Sequence, residues 1–182
     1  MSTFVKLLNK QKTSSIARQS RRSAKWFQNK IKEFTKGIRK QQASRPVIGK
    51  LYTYSYSPKH KETLPHYDLF PMVMPFGMYT DGWIGINFHY LPPRLRAVLM
   101  DELLKINGKK NLNAKTKLQL SYDLLNKLSN SKLIAPTIHR YLIGHVKSKI
   151  IVIPANEWEL AVMLPTAKFV GKSKQQIYSL AK

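Results

Sequence analysis

Nine carboxylates and five histidines, with no cysteine, bound the acid–base, nucleophilic and metal chemistry that this chain can carry. Without cysteine there are no disulfides, no thiolate nucleophile and no cysteine-based zinc site. His60 and His66 lie six residues apart in a turn-rich segment near Glu62 and Asp68, and His139 and His145 repeat that spacing. Neither pair has the four-residue spacing that places two imidazoles on one helical face, so no metal site is expected. Hydrolysis needs paired carboxylates or a nucleophile with its base. Asp101 with Glu102, and Glu157 with Glu159, fall on expected helices where they can pair with neighbouring Lys or Arg, while Asp68, Asp81 and Asp123 are scattered. A nuclease assembled from Asp68, Glu62 and a lysine stands as an alternative without a motif behind it. Gly82-x-x-Gly85 is too short for a phosphate loop and runs into strand residues. The chain therefore reads as non-enzymatic, with no catalytic residue, metal or cofactor assigned.

Charge is the positive signal. Thirty-two Lys and Arg against nine acids give a net +23, which repels itself unless a polyanion neutralises it. Nucleic acid, an anionic membrane surface or an acidic protein would serve. No apolar run approaches the roughly 20 residues needed to span a bilayer, and the patch Phe4–Leu8 lacks the apolar core of a secretory signal. The charge is uneven: residues 1–50 carry fourteen Lys and Arg against Glu33 alone, a net of +13 out of +23. This segment is a basic arm whose phosphate-binding candidates are Arg18, Arg21, Arg22, Lys25, Lys30, Lys32, Lys36, Arg39 and Lys40. Phe27, Ile31, Phe34 and Ile38 recur at spacings of four, three and four beside Trp26, so an amphipathic helix is expected there. Ser14 or Ser15 can cap it, and Ser44-Arg45-Pro46 should end it. Its stripe, Trp26, Phe27, Ile31, Phe34 and Ile38, docks either on the chain's own core or on a partner. The arm's Arg- and Ser-containing, acid-free first thirty residues also fit an organellar transit peptide, with the matrix as the alternative location.

The elements that must hold these groups begin at Val47. Leu51–Tyr56 alternates, placing Tyr52, Tyr54 and Tyr56 on one strand face. That face is either a stacking platform for bases or a packed interior. Asp68–Phe76 reads as a strand that Pro71 and Pro75 make an edge strand or a broken one. Thr80-Asp81-Gly82 is a turn, and Trp83–Tyr90 the next strand, completing an antiparallel meander. A helix opens at Pro92-Pro93 and ends at Asn107-Gly108. A second covers Ala114–Leu128, and a third, short one runs from Pro136 to about Gly144. Val146–Ile153 returns as a fourth strand, followed by a short helix over Glu157–Leu164. Arg94 and Arg96, with His139, Arg140, Lys147 and Lys149, form a second basic patch. The expectation is an α+β fold: a small antiparallel sheet of about four strands packed with several helices, preceded by the basic helical arm. The divisions are the arm at 1–46, a globular domain at 47–165 and a basic tail at 166–182.

Several strings carry a family resemblance. Gly49-Lys50-Leu51-Tyr52-Thr53-Tyr54-Ser55-Tyr56-Ser57-Pro58-Lys59 is followed by Leu64-Pro65-His66-Tyr67-Asp68-Leu69-Phe70-Pro71. Further on come Asn87-Phe88-His89-Tyr90-Leu91-Pro92-Pro93-Arg94-Leu95-Arg96, then Arg140-Tyr141-Leu142 with Gly144-His145-Val146, and Pro154-Ala155-Asn156-Glu157-Trp158. Over roughly residues 46–165 they resemble small basic virion or DNA-packaging accessory proteins of T-even-type tailed bacteriophages. The resemblance implies a structural or assembly component of a tailed-phage virion, placed at the tail, the neck or a DNA end. It would dock on other virion proteins and contact DNA, favoured over RNA, or an acidic partner through the arm. It brings no catalytic residues, and no membrane partner is expected. The alternative class is an RNA-binding ribosomal or ribonucleoprotein component, whose basic arm would order on RNA.

Overall fold

The alternation at Leu51–Tyr56 and the apolar runs that follow it resolve into one twisted antiparallel sheet. The computed structural model describes residues 42–130, 134–162 and 166–180. The expected arm helix, with its basic residues Arg18 to Lys40 and its stripe from Trp26 to Ile38, lies outside the described residues. The strands are β1 (Gln42–Ala43), β2 (Leu51–Thr53), β3 (Tyr67–Asp68), β4 (Met72–Tyr79), β5 (Gly82–Asn87), β6 (Ile138–Leu142), β7 (Ile150–Ile153) and β8 (Phe169–Val170). Six of them form the main sheet in the order β1-β7-β2-β4-β5-β6, and β3 pairs with β8 separately. The helices are α1 (Pro93–Gly108), α2 (Ala114–Ser129), α3 (Trp158–Val162) and α4 (Lys174–Ser179). The fold is α+β.

Strand periodicity sorts the side chains onto two faces. Leu51, Met72, Met74 and Ile86 point toward the helices and pack with Leu99, Met100 and Leu103 of α1, Leu125 of α2 and Trp158 of α3. Each such side chain, fully buried, stabilises by ~1.5–3 kcal/mol. Tyr52, Val73, Trp83, Tyr141 and Ile150 form a second core on the opposite face. Local signals set the helix ends. Pro93 opens α1, and the Asn113 side chain caps α2 by accepting from Thr116 N at 2.8 Å. Trp158 Nε1 donates to the Ile153 carbonyl at 2.8 Å and ties α3 to β7.

Four expectations give way to the tertiary structure. β4 is neither an edge nor interrupted: it lies between β2 and β5, and a register shift between Pro75 and Gly77 absorbs the proline. Pro75 has no N–H to give, but its carbonyl accepts from Gly49 N at 3.1 Å. The short helix expected at Pro136–Gly144 is strand β6, flanked by 3-10 turns at Ala135–Thr137 and Ile143–His145. Five residues of β6 pair with β5, from Ile86 opposite Ile138 to Gly82 opposite Leu142, and pairing over that length outweighs local preference. Of Val146–Ile153, only Ile150–Ile153 is a regular strand; Val146 makes an isolated bridge with Tyr56. The segment after Thr166, whose lysines suggested a tail, supplies β8 and α4. Lys168 and Lys174 are exposed there, while Ala167 and Ile177 are buried.

Gly82 is fixed by close approach. A Cβ on Gly82, at the start of β5, would stand 1.9 Å from the Tyr141 carbonyl oxygen, whereas one on Gly108 would meet nothing within 4 Å. Gly82→Ala is therefore expected to destabilise by about 2–3 kcal/mol. Gly108→Ala should be neutral or stabilising by up to about 1 kcal/mol. Urea unfolding midpoints of the two variants check the contrast.

Candidate nucleic-acid interface

Two buried charges organise the region where β3, β5, β6 and the C-terminal segment meet. The Asp68 carboxylate is 4% exposed. Its Oδ1 accepts from Phe70 N at 3.1 Å and Lys168 N at 3.2 Å; its Oδ2 accepts from Asn87 Nδ2 at 3.2 Å and His89 Nδ1 at 2.6 Å. Burial by itself would raise the Asp68 pKa; the His89 ring and the N–H donors outweigh it and hold the carboxyl below its ordinary value. His89 Nε2 meets Thr166 Oγ1 at 2.9 Å on its other side. With its acceptor positions filled, Asp68 is committed to the fold. Glu62, its imagined nuclease partner, is exposed and pairs with Lys61 at 3.7 Å.

Arg96, expected to face phosphates, is 3% exposed. Its Nε donates to Leu91 O at 2.7 Å and Nη1 to Val162 O at 3.0 Å; Nη2 donates to His89 O at 2.9 Å and to Tyr178 Oη at 2.7 Å. The guanidinium is thus an internal clamp joining the start of α1 to α3 and α4. Its neighbour Arg94 is on the first turn of α1. Arg140 is exposed on β6, bonded to Asp81 at 2.8 Å and placed over the Tyr79 ring at 4.7 Å. Lys147 and Lys149 follow β6 in the loop to β7.

The tyrosines alternate as expected but do not form an open platform. Tyr52, Tyr54 and Tyr56 are all buried. Tyr54 and Tyr141 meet edge to face with ring centroids 5.8 Å apart, Tyr56 and Tyr141 at 5.0 Å, and Trp83 Nε1 donates to Tyr54 Oη at 3.2 Å. Burial raises the pKa of Tyr54 and Tyr141 well above ordinary phenol values.

Beside this cluster opens a cleft of about 690 Å³. β6 forms one wall with His139, Arg140 and Tyr141, and the loop between Tyr56 and Tyr67 forms the other with Lys59, His60 and His66. The loop is pinned at its base, where Tyr56 N donates to Leu69 O at 2.9 Å and Ser57 N to His145 O at 3.1 Å. Gly171, at φ +88°, lets the chain pass close to the Pro65 carbonyl. Tyr90 stands between the walls, 4.2 Å from the His139 ring and 5.8 Å from that of His66. His66 Nδ1 and His139 Nε2 are buried and have no hydrogen-bond partner among the described residues. Burial, then Lys172, lowers the His66 pKa; burial, then His66, lowers that of His139 to about 4. At neutral pH both rings are therefore uncharged. From sequence alone His139 falls in the second basic patch and His66 is weighed for metal alone, so nothing there pairs the two rings. Among the described residues no group of three or more His, Asp or Glu could hold a metal ion, and no helix is long and apolar enough to cross a membrane.

The family described as phage T4 terminal DNA protecting protein has a sequence model that matches residues 1–182. This bears out the resemblance to T-even-type phage proteins and extends it across the arm. No curated protein and no solved structure matches the chain.

The buried titratable groups make stability depend on pH. The folded pKa of His139, about 4, lies below its ordinary 6.5, so as pH falls the unfolded chain takes up its proton first. That contribution is fully present above about 6.5 and is lost towards about 4, at no more than ~1.4 kcal/mol per pH unit. Asp68 acts in the same direction lower down: its contribution is present above its ordinary value and lost as pH falls below it. Urea midpoints between pH 7 and pH 3 should fall in two stages, and His139→Phe should shrink the upper one to the part that His66 contributes while leaving the lower one in place. Asp68→Ala, which leaves buried donors unpaired, is expected to cost about 3–5 kcal/mol at pH 7.

Proposed function

The chain belongs to the phage T4 terminal DNA protecting protein family, and from that premise we propose that it is a non-enzymatic virion component that sits at the end of the phage DNA. The observation that carries the reading is the uneven charge: +13 of the net +23 lies in the first fifty residues. In this reading Arg18, Arg21, Arg22, Lys25, Lys30, Lys32, Lys36, Arg39 and Lys40 contact backbone phosphates, with Arg94 beside them. Arg96 is withdrawn from that set because its guanidinium is bonded inside the domain. Lys and Arg at phosphates release condensed counterions, a gain that needs no base recognition. The stripe Trp26, Phe27, Ile31, Phe34 and Ile38 docks the arm on a neighbouring virion protein. The particle is assembled in the host cytoplasm. Asp68's filled coordination supports a binding role over nuclease chemistry.

The test is duplex affinity as a function of salt. Each neutralised phosphate contributes about −0.9 to the slope of log affinity against log salt. Replacing Lys25, Lys30 and Lys32 together by Gln should flatten that slope by about two to three. A slope near zero for the unaltered protein would sink the reading.

A further inference from the structure

We propose that the cleft between β6 and the Tyr56–Tyr67 loop receives the terminal nucleobase of the DNA, with the half-buried His66 and His139 rings as its contact surface, backed by Tyr90. The proposal rests on the DNA-end reading above and assigns the site that distinguishes an end from the middle of a duplex.

Three observations carry it. The first is shape and lining. A cleft of about 690 Å³ lies within the range of small-ligand sites, and its half-buried His66 and His139 rings, held by the buried Tyr90 between them, offer ring surface to a flat heterocycle. The second is the pair of buried, unpartnered imidazole nitrogens. Each such atom is destabilising while nothing bonds to it, so a ligand with matching groups recovers that cost. The Pro136 carbonyl bonds the other side of the His139 ring, which leaves Nε2 as a lone-pair acceptor. All four bases carry an N–H donor on an exposed edge once unpaired, so acceptance of the base is tolerant of sequence.

The third observation is the placement of charge. Asp68 lines the inner part of the cleft, and both imidazoles are neutral at pH 7. A phosphate there would meet that carboxylate, whose hydrogen-bond donors are already engaged and cannot turn to it. The cations of the lining, Lys59 and Arg140, are exposed, and Lys172 is near enough to act on His66. An uncharged ring inside with its phosphate outside satisfies both regions. Arg140 is occupied by Asp81, which leaves Lys59 and Lys172 for that phosphate.

The experiment compares three duplexes of one length with the full-length protein, by fluorescence anisotropy at fixed salt. One is intact, one lacks the bases of its terminal pairs but keeps their sugars and phosphates, and one carries the same abasic lesion at its centre. The expected result is roughly tenfold weaker binding to the terminal lesion, in keeping with the loss of a base–aromatic contact, and no change for the central one. His139→Phe should bind the intact and end-abasic duplexes alike, at the weaker affinity. His66→Phe, a loop substitution, serves the same purpose if His139→Phe fails to fold. Equal binding of all three duplexes by the unaltered protein overturns the proposal and leaves the DNA-end reading standing. Absence of binding to any duplex at low salt overturns both. Competition for the His66 and His139 surface by an acidic peptide but not by an unpaired nucleoside would mark the cleft as a protein site and also overturn the proposal.

Discussion

A single buried carboxylate holds the molecule's two halves in register. Asp68 sits at the end of β3, and its four donors come from Phe70 on the same segment, from Asn87 and His89 at the end of β5, and from Lys168 at the C-terminal end. Asn87 extends the junction, because its Oδ1 accepts from both Met72 N and His89 N. The desolvation cost of an ionised group so deep is several kcal/mol, and only a complete set of donors offsets it. Loss of any one donor leaves the remainder of that cost uncompensated. The loop before Asp68, the hairpin and the final segment are therefore coupled: each is ordered only where the others are.

Arg96 applies the same constraint from the opposite sign. No carboxylate is bonded to it among the described residues; carbonyl dipoles from residues 89, 91 and 162 and the Tyr178 hydroxyl disperse its charge. Two of those acceptors lie in elements far along the chain from α1, so the clamp makes the C-terminal segment part of the domain. The wall of the cleft inherits this rigidity. His89 joins both networks, giving a side chain to Asp68 and a carbonyl to Arg96, and the next residue is Tyr90, which stands between the cleft's walls.

How much of this was legible in the sequence follows from what each signal measures. Alternation is a property of one strand, and it placed Tyr52, Tyr54 and Tyr56 on one face. It cannot say whether that face is covered, and here Trp83 and Tyr141 cover it. Prolines at 71 and 75 suggested an edge or a broken strand, but Pro71 lies just before β4 and Pro75 costs only a register shift within a central strand. β6 was misread because its strand state depends on β5, fifty residues away in sequence. Arg96 was misassigned for the same reason: in composition an arginine that binds phosphate and one that binds carbonyls are identical. The cleft was invisible, since His66, Tyr90 and His139 converge only when β5, β6 and the loop are in place.

The proposed terminal-base site would divide the work with the basic arm, because the two rings at its heart, His66 and His139, are neutral. Counterion release favours contact with phosphate anywhere on a duplex, so a basic arm by itself cannot tell an end from a middle. Discrimination requires a group that only an end presents. Inside a duplex every base is stacked on both sides, and its hydrogen-bonding edge is paired; extracting it costs a few kcal/mol. At a terminus one stacking face is already open and the pair frays, so the cost is smaller. A cleft that gains from an unpaired base, flanked by cations that gain from its phosphate, converts that difference into a preference for ends. The arm would then supply affinity and the cleft position. That division also accounts for the neutrality of His66 and His139: a charged imidazole there would attract phosphates indiscriminately and blur the distinction.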